Sequence, residues 1–187
     1  FINRATGPEH PLIIYYGGNA EEISHNLFNV EKYEKESLLF MNYRGYGRST
    51  GSPSQSSLFS DALFIFDHIS DTYGIPSTNI ILMGRSLGSA VATYVAKQRH
   101  VRAVILITPF DSLLNIAKEH YPFFPVKLLL RHPFDSVQIA PEITTPMIAI
   151  IADQDRIISN EQSVNLVEHW GMKSHYVIIK DADHNSI

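Results

Sequence analysis

Apolar residues gather along this chain in short unbroken runs separated by longer mixed segments. The runs are "LIIYY" (12–16), "LLFMN" (38–42), "IILM" (80–83), "AVILI" (103–107), "MIAII" (147–151) and "HYVII" (175–179). Being continuously apolar rather than alternating, they predict six strands covered on both faces, as in a parallel sheet flanked by helices. The segments between them predict helices near 20–34, 56–73, 87–99, 112–119 and 160–170. Ser159 with Gln162, and Asn19 with Glu22, have the spacing of capping boxes. Gly171 and Gly74, the latter followed by Pro76, sit where helices should stop. Strand and helix alternate throughout, with no internal repeat or linker-like tract. The expected architecture is therefore a doubly wound, mostly parallel α/β sheet with helices on both faces, in one domain over 1–187.

One connection breaks the rhythm. The stretch from Thr108 to Pro146 is far longer than the few residues usual between such elements, and its middle reads "HYPFFPVKLLLRHPFDS". A lid-like insertion at about 111–140 and an ordinary helix-and-loop packed on the sheet edge both fit this pattern. On the lid reading, Tyr121, Phe123, Phe124, Leu128 and Leu129 are expected to line an acyl pocket.

Composition narrows the function classes. With 187 residues, 44% of them hydrophobic, the chain suffices for one sizeable core. Its net charge is −4 and no basic cluster interleaved with aromatics occurs, so no nucleic-acid partner is expected. The absence of cysteine removes disulfides, thiolate metal sites and cysteine nucleophiles. Runs such as "MIAIIA" fall well short of the roughly 18 residues a membrane-spanning helix needs. The sequence opens on Phe1 and stops at Ile187, so a fragment of a longer chain is expected, with a cytoplasmic location favoured and any leader lost with the native start.

The chemistry centres on "GRSLG" (84–88), a G-x-S-x-G stretch between the strand "IILM" and the helix "SAVATYVAKQR". Glycines flank the serine where a strand turns sharply into a helix, and the turn lifts the Ser86 hydroxyl off the sheet. The N–H of Leu87, at the helix start, faces any oxyanion formed there. The alternative is a glycine-rich turn whose serine merely caps the helix. A serine nucleophile needs a base and an acid, which in this kind of fold follow it in the order acid, then histidine. His184, in the polar loop "KDADHNSI" just after the last strand, is the candidate base. His25, His68, His100, His120 and His169 fall within or beside predicted helices. Asp153 and Asp155 in "IIADQDRIIS" are both candidate acids, just past a strand's carboxyl end. In "YYGGNAEE" (15–22), Gly17 and Gly18 let the backbone approach a substrate carbonyl and Asn19 can aim its N–H at an oxyanion.

These motifs resemble the α/β-hydrolase superfamily. Within it they resemble serine esterases with an "HGNA" oxyanion loop and a "DYRGYGxSxGxPS" loop, here "GGNA" and "NYRGYGRSTGSPS". The likeness continues through "GRSLGSAVA", "PFDSL", "LLRHPFDS", "DQDRIIS" and "DADHNSI", over nearly the whole chain. It implies Ser86 as nucleophile, Asp155 as acid, His184 as base, and the N–H groups of Asn19 and Leu87 as the oxyanion hole. Two positions depart from the pattern. Gly17 replaces the histidine before the oxyanion glycine, and Asn42 replaces the aspartate opening the second loop, which loosens any salt bridge Arg44 would have made.

The expected activity is hydrolysis of a small-molecule carboxylic ester or thioester, with no cofactor and no metal. A serine peptidase of the same fold and a non-catalytic binding protein that kept the fold are the alternatives. "RGYGRSTG" fails both the Walker pattern and the dinucleotide fingerprint, and no His-Glu-x-x-His or comparable metal cluster occurs.

Overall fold

In the computed structural model, residues 2–3, 10–24 and 36–187 are described. Seven strands form one sheet: β1 (Ile2–Asn3), β2 (Leu12–Tyr16), β3 (Ser37–Met41), β4 (Ile80–Arg85), β5 (Ala103–Ile107), β6 (Met147–Ala152) and β7 (Ser174–Ile179). Their spatial order is β1-β3-β2-β4-β5-β6-β7, every pair parallel except β1 with β3. The six runs read from the sequence are β2 to β7. The short antiparallel β1 has no apolar run to announce it.

The continuity of those runs has a direct cause. In β2, Leu12, Ile14 and Tyr16 enter the large core, while Ile13 and Tyr15 enter a smaller cluster with Ile23, Leu38 and Phe40. Because successive side chains point to opposite faces, both faces of this strand demand apolar residues. The edge strand β7 is equally apolar but mostly exposed.

Helices α1 (Gln55–Tyr73), α2 (Leu87–Gln98), α3 (Leu113–His120), α4 (Val126–Leu129), α5 (Ser136–Ile139) and α6 (Asn160–Glu168) fill the connections. The helix expected near 20–34 falls largely on residues outside those described. Helix α1 is capped by Ser54, whose hydroxyl accepts from the Ser57 N–H in a capping box, and it ends on Gly74 with φ 61°. The Ser159–Gln162 capping box does not form. Ser159 Oγ and Gln162 Nε2 both donate to Glu119 of α3 instead, so these side chains join two helices rather than closing one. Helix α6 stops at Glu168, with His169 as its C-cap, before Gly171 is reached.

The long connection resolves into two parts. Its second half is ordinary packing, with Phe134, Ala140 and Ile143 buried in the large core and α5 against α2. Its middle, from Tyr121 to Arg131, is mostly exposed at the surface.

Candidate active site

Strand β4 runs into α2 through Ser86, whose backbone sits at φ 50°, ψ −117°. A non-glycine residue at positive φ costs on the order of 1–3 kcal/mol and persists only where neighbours enforce it. Here the Ser86 N–H donates to the Ile107 carbonyl at 2.9 Å, and the buried Ser89 hydroxyl donates to the Ser86 carbonyl at 2.6 Å. The flanking glycines are required by close approach. A Cβ on Gly84 would lie 2.3 Å from the Gly88 carbonyl oxygen, and one on Gly88 would lie 2.0 Å from that of Tyr16. The Ser86 side chain makes no capping hydrogen bond to its helix, which removes the capping explanation for its presence.

The hydroxyl meets His184 instead. Ser86 Oγ lies 3.0 Å from His184 Nε2, and His184 Nδ1 lies 2.7 Å from Asp155 Oδ2. A carboxylate can only accept, so Nδ1 carries the proton and Nε2 is left to accept from the serine. The loop between β6 and α6 fixes Asp155. Its Oδ1 accepts from the N–H groups of Ile157 and Ile158 at 2.8 and 2.9 Å, in a turn the carboxylate itself closes. Burial raises the pKa of Asp155, but the His184 hydrogen bond, these two backbone donors and the charge of His184 outweigh it, and the net shift is downward. Asp153 is exposed and makes no side-chain hydrogen bond among the described residues.

The histidine loop is held at both ends. Asp183 Oδ1 accepts from the N–H groups of Asn185 and Ser186, and the Gln154 N–H of the acid loop donates to the Ala182 carbonyl. Arg85, the variable residue of "GRSLG", donates to the His184 carbonyl at 2.8 Å and faces Glu21 at 3.6 Å. Glu21 in turn accepts from the Gly18 N–H at 2.6 Å and from the Tyr15 hydroxyl. Through this one guanidinium the nucleophile turn, the histidine loop and the glycine-rich loop become a single unit. Nothing in the sequence pattern marked Arg85 or Ser89 for these tasks.

The glycine-rich loop is braced by the "NYRGYG" segment. Tyr43 donates to the Gly17 carbonyl, Tyr46 donates to Asn19 Oδ1 at 2.6 Å, and Asn42 donates to Glu22 while accepting from the Ile23 N–H. These contacts hold the glycine-rich loop in place. The helix that the Asn19–Glu22 box would cap falls largely on residues outside those described. Arg44 is paired after all, with both Asp61 carboxylate oxygens on α1.

Asn19, Tyr46, Ser86 and Leu87 lie at the polar end of a cavity of about 440 Å³. Its apolar wall comes from Leu58 of α1, Phe110, Leu113 and Ile116 of α3, Leu129 of α4, and Phe134. Of the five residues expected to line an acyl pocket, only Leu129 does. Tyr121, Phe123, Phe124 and Leu128 are exposed and do not line this cavity. Among the described residues, no group of three or more potential ligands stands ready to hold a metal ion.

No family model matches the chain. An uncharacterized protein of Mycobacterium tuberculosis is 33% identical over 191 residues, covering 99% of this chain and 66% of its own length. The alpha/beta hydrolase domain-containing protein WAV2 of Arabidopsis thaliana is 32% identical over 166 residues, covering 79% and 54%. The chain thus spans roughly half to two thirds of the length of these relatives. Among solved structures, ferulic acid-bound Est1E from Butyrivibrio proteoclasticus superposes with a TM-score of 0.79 at 17% identity, over 98% of this chain and 86% of its own. The monoacylglycerol lipase of Paleococcus ferrophilus gives 0.71 at 18% identity, over 94% and 88%. The chain has the α/β-hydrolase fold. In this fold β4 and α2 flank the Ser86 turn, and the loops carrying Asp155 and His184 leave β6 and β7 at the same carboxyl edge of the sheet.

Proposed function

We propose that the protein is a serine hydrolase of carboxylic esters or thioesters. The observation that carries this reading is the continuous chain of hydrogen bonds Ser86–His184–Asp155, at 3.0 and 2.7 Å, opening on an apolar cavity. Ser86 Oγ attacks the acyl carbonyl as His184 Nε2 takes its proton, and Asp155 holds the imidazole and stabilises its cationic form. The oxyanion is met by the N–H groups of Asn19 and Leu87. His184 then protonates the departing alcohol or thiol, and water, deprotonated by the same nitrogen, releases the acid and restores Ser86. Likeness to an esterase and a lipase supports an acyl substrate, and a cavity of about 440 Å³ is of small-molecule size.

A panel of 4-nitrophenyl esters and acyl thioesters of increasing chain length tests this. Turnover of at least one series is expected, and its absence from both would refute the proposal. Leu113→Trp, which fills the cavity wall, should cut kcat/KM for long acyl chains at least about tenfold while sparing acetate. Phe123→Ala should leave the chain-length profile unchanged. If the two variants behave alike, the cavity is not the acyl site.

Arg85→Met is expected to lower kcat about tenfold with little change in KM, because it frees the histidine and glycine-rich loops from one another without touching a reacting atom. An equal rise in KM at constant kcat would assign Arg85 to substrate binding instead.

A further inference from the structure

Apart from Leu129, which lines the cavity, the mostly apolar segment from Tyr121 to Leu129 faces outward and is unused by the proposed chemistry. Phe123 is 96% exposed, Leu128 85%, Leu129 66%, Phe124 63% and Tyr121 59%. Large side chains are seldom left so open together on a soluble surface without a binding role. The segment is nevertheless ordered by its own hydrogen bonds. The N–H groups of Phe124, Leu128 and Leu130 donate to the carbonyls of Tyr121, Pro125 and Val126, and the Tyr121 and Phe124 rings meet edge to face at 6.3 Å. It is therefore a shaped surface.

Charge identifies its partner. The chain as a whole carries −4, yet from His120 through Phe134 there is no Asp or Glu, while Lys127 and Arg131 flank the leucines. A second copy is a poor fit, since a two-fold contact would set these cations against their own equivalents. A partner that is both apolar and negatively charged satisfies every group. The aromatic and leucine side chains enter the acyl region, and Lys127 lays its alkyl stem along them and reaches the headgroups. We propose that this face docks the protein on an anionic lipid surface. Leu129, Leu130 and Arg131 also line the cavity that ends at Ser86, so the docked face lies at the cavity mouth. On the hydrolase reading above, an acyl chain then passes from lipid to Ser86 without crossing water. The docking itself does not depend on that reading.

The test is sedimentation of the whole protein with phosphatidylcholine vesicles, with and without phosphatidylserine. Phosphatidylserine vesicles should retain the protein, pure phosphatidylcholine should retain several-fold less, and added salt should weaken retention. The double variant Phe123→Ser/Leu128→Ser alters only exposed side chains outside the cavity. It should lose about tenfold or more in vesicle affinity yet cleave a soluble short-chain ester as before. Lys127→Glu should lose the phosphatidylserine preference. Failure of the native protein to bind either vesicle, or unchanged binding by the double variant, overturns the proposal. So does a dimer in sedimentation velocity that the double variant dissolves without any vesicle binding. Vesicle binding without ester cleavage would leave docking standing and remove the hydrolase reading, and cleavage without binding would do the reverse.

Discussion

Ser86→Ala is expected to fold normally and to lose about 10⁶-fold in kcat, the scale seen when other serine hydrolases lose their nucleophile. The fold should survive because the Ser86 side chain caps nothing. The elbow is held by the Ser86 N–H to Ile107, the Ser89 hydroxyl to the Ser86 carbonyl, and the glycine contacts, none of which involves the lost hydroxyl. Alanine tolerates the φ 50° backbone no better and no worse than serine. Circular dichroism and ester turnover measured on one preparation check both halves. A variant that stays folded and turns over at the native rate would show that Ser86 is not the nucleophile.

Asp155→Asn and Asp153→Asn form the second comparison. The first should lower kcat about 10⁴-fold, as replacement of a triad acid by its amide does. The second should cost about tenfold at most, through disturbance of the loop. The asymmetry comes from geometry. Asp155 gives one oxygen to Nδ1 of His184 and the other to two backbone N–H groups. An asparagine in its place can turn an amide toward His184 and favour the wrong tautomer, or turn its oxygen there and set the amide against those N–H groups. Stability should respond as well. A carboxylate whose pKa is lower in the folded than in the unfolded chain stabilises the fold above the unfolded value. That contribution is lost as pH falls through the folded one. Asp155→Asn should therefore be less stable than the native protein at neutral pH and lose less on acidification. A larger kinetic loss at Asp153 would reverse the assignment.

The fold was legible in the sequence because a sheet with both faces covered writes itself as uninterrupted Ile, Val and Leu runs. The six runs correspond to β2 through β7, with ends shifted by at most two residues. Strand β1, two residues long, is too short to carry a pattern. The helix caps were less legible. Ser159 and Gln162 have the right spacing for a box but are drawn away by Glu119, a partner distant in sequence.

The positions of Ser86, Asp155 and His184 could be read because each follows an apolar run by a few residues at the same end of a parallel sheet, and the structure brings all three into contact. What braces them could not. Arg85, Ser89, Tyr43 and Tyr46 act through bonds to backbone carbonyls or to a loop asparagine, which leave no spacing signature. Of the five residues expected at an acyl pocket, only Leu129 lines the cavity beside Ser86, whose apolar wall draws mainly on α1, α3 and Phe134.

The central claim is that Ser86 is a nucleophile activated by His184. Treatment with a fluorophosphonate, followed by intact mass and peptide mapping, tests it most directly. A single adduct is expected on the peptide containing Ser86, formed within minutes by the native protein, slowed by orders of magnitude in Asp155→Asn and absent from Ser86→Ala. A native protein that stays unlabelled, or one that carries the adduct on another residue, would contradict it.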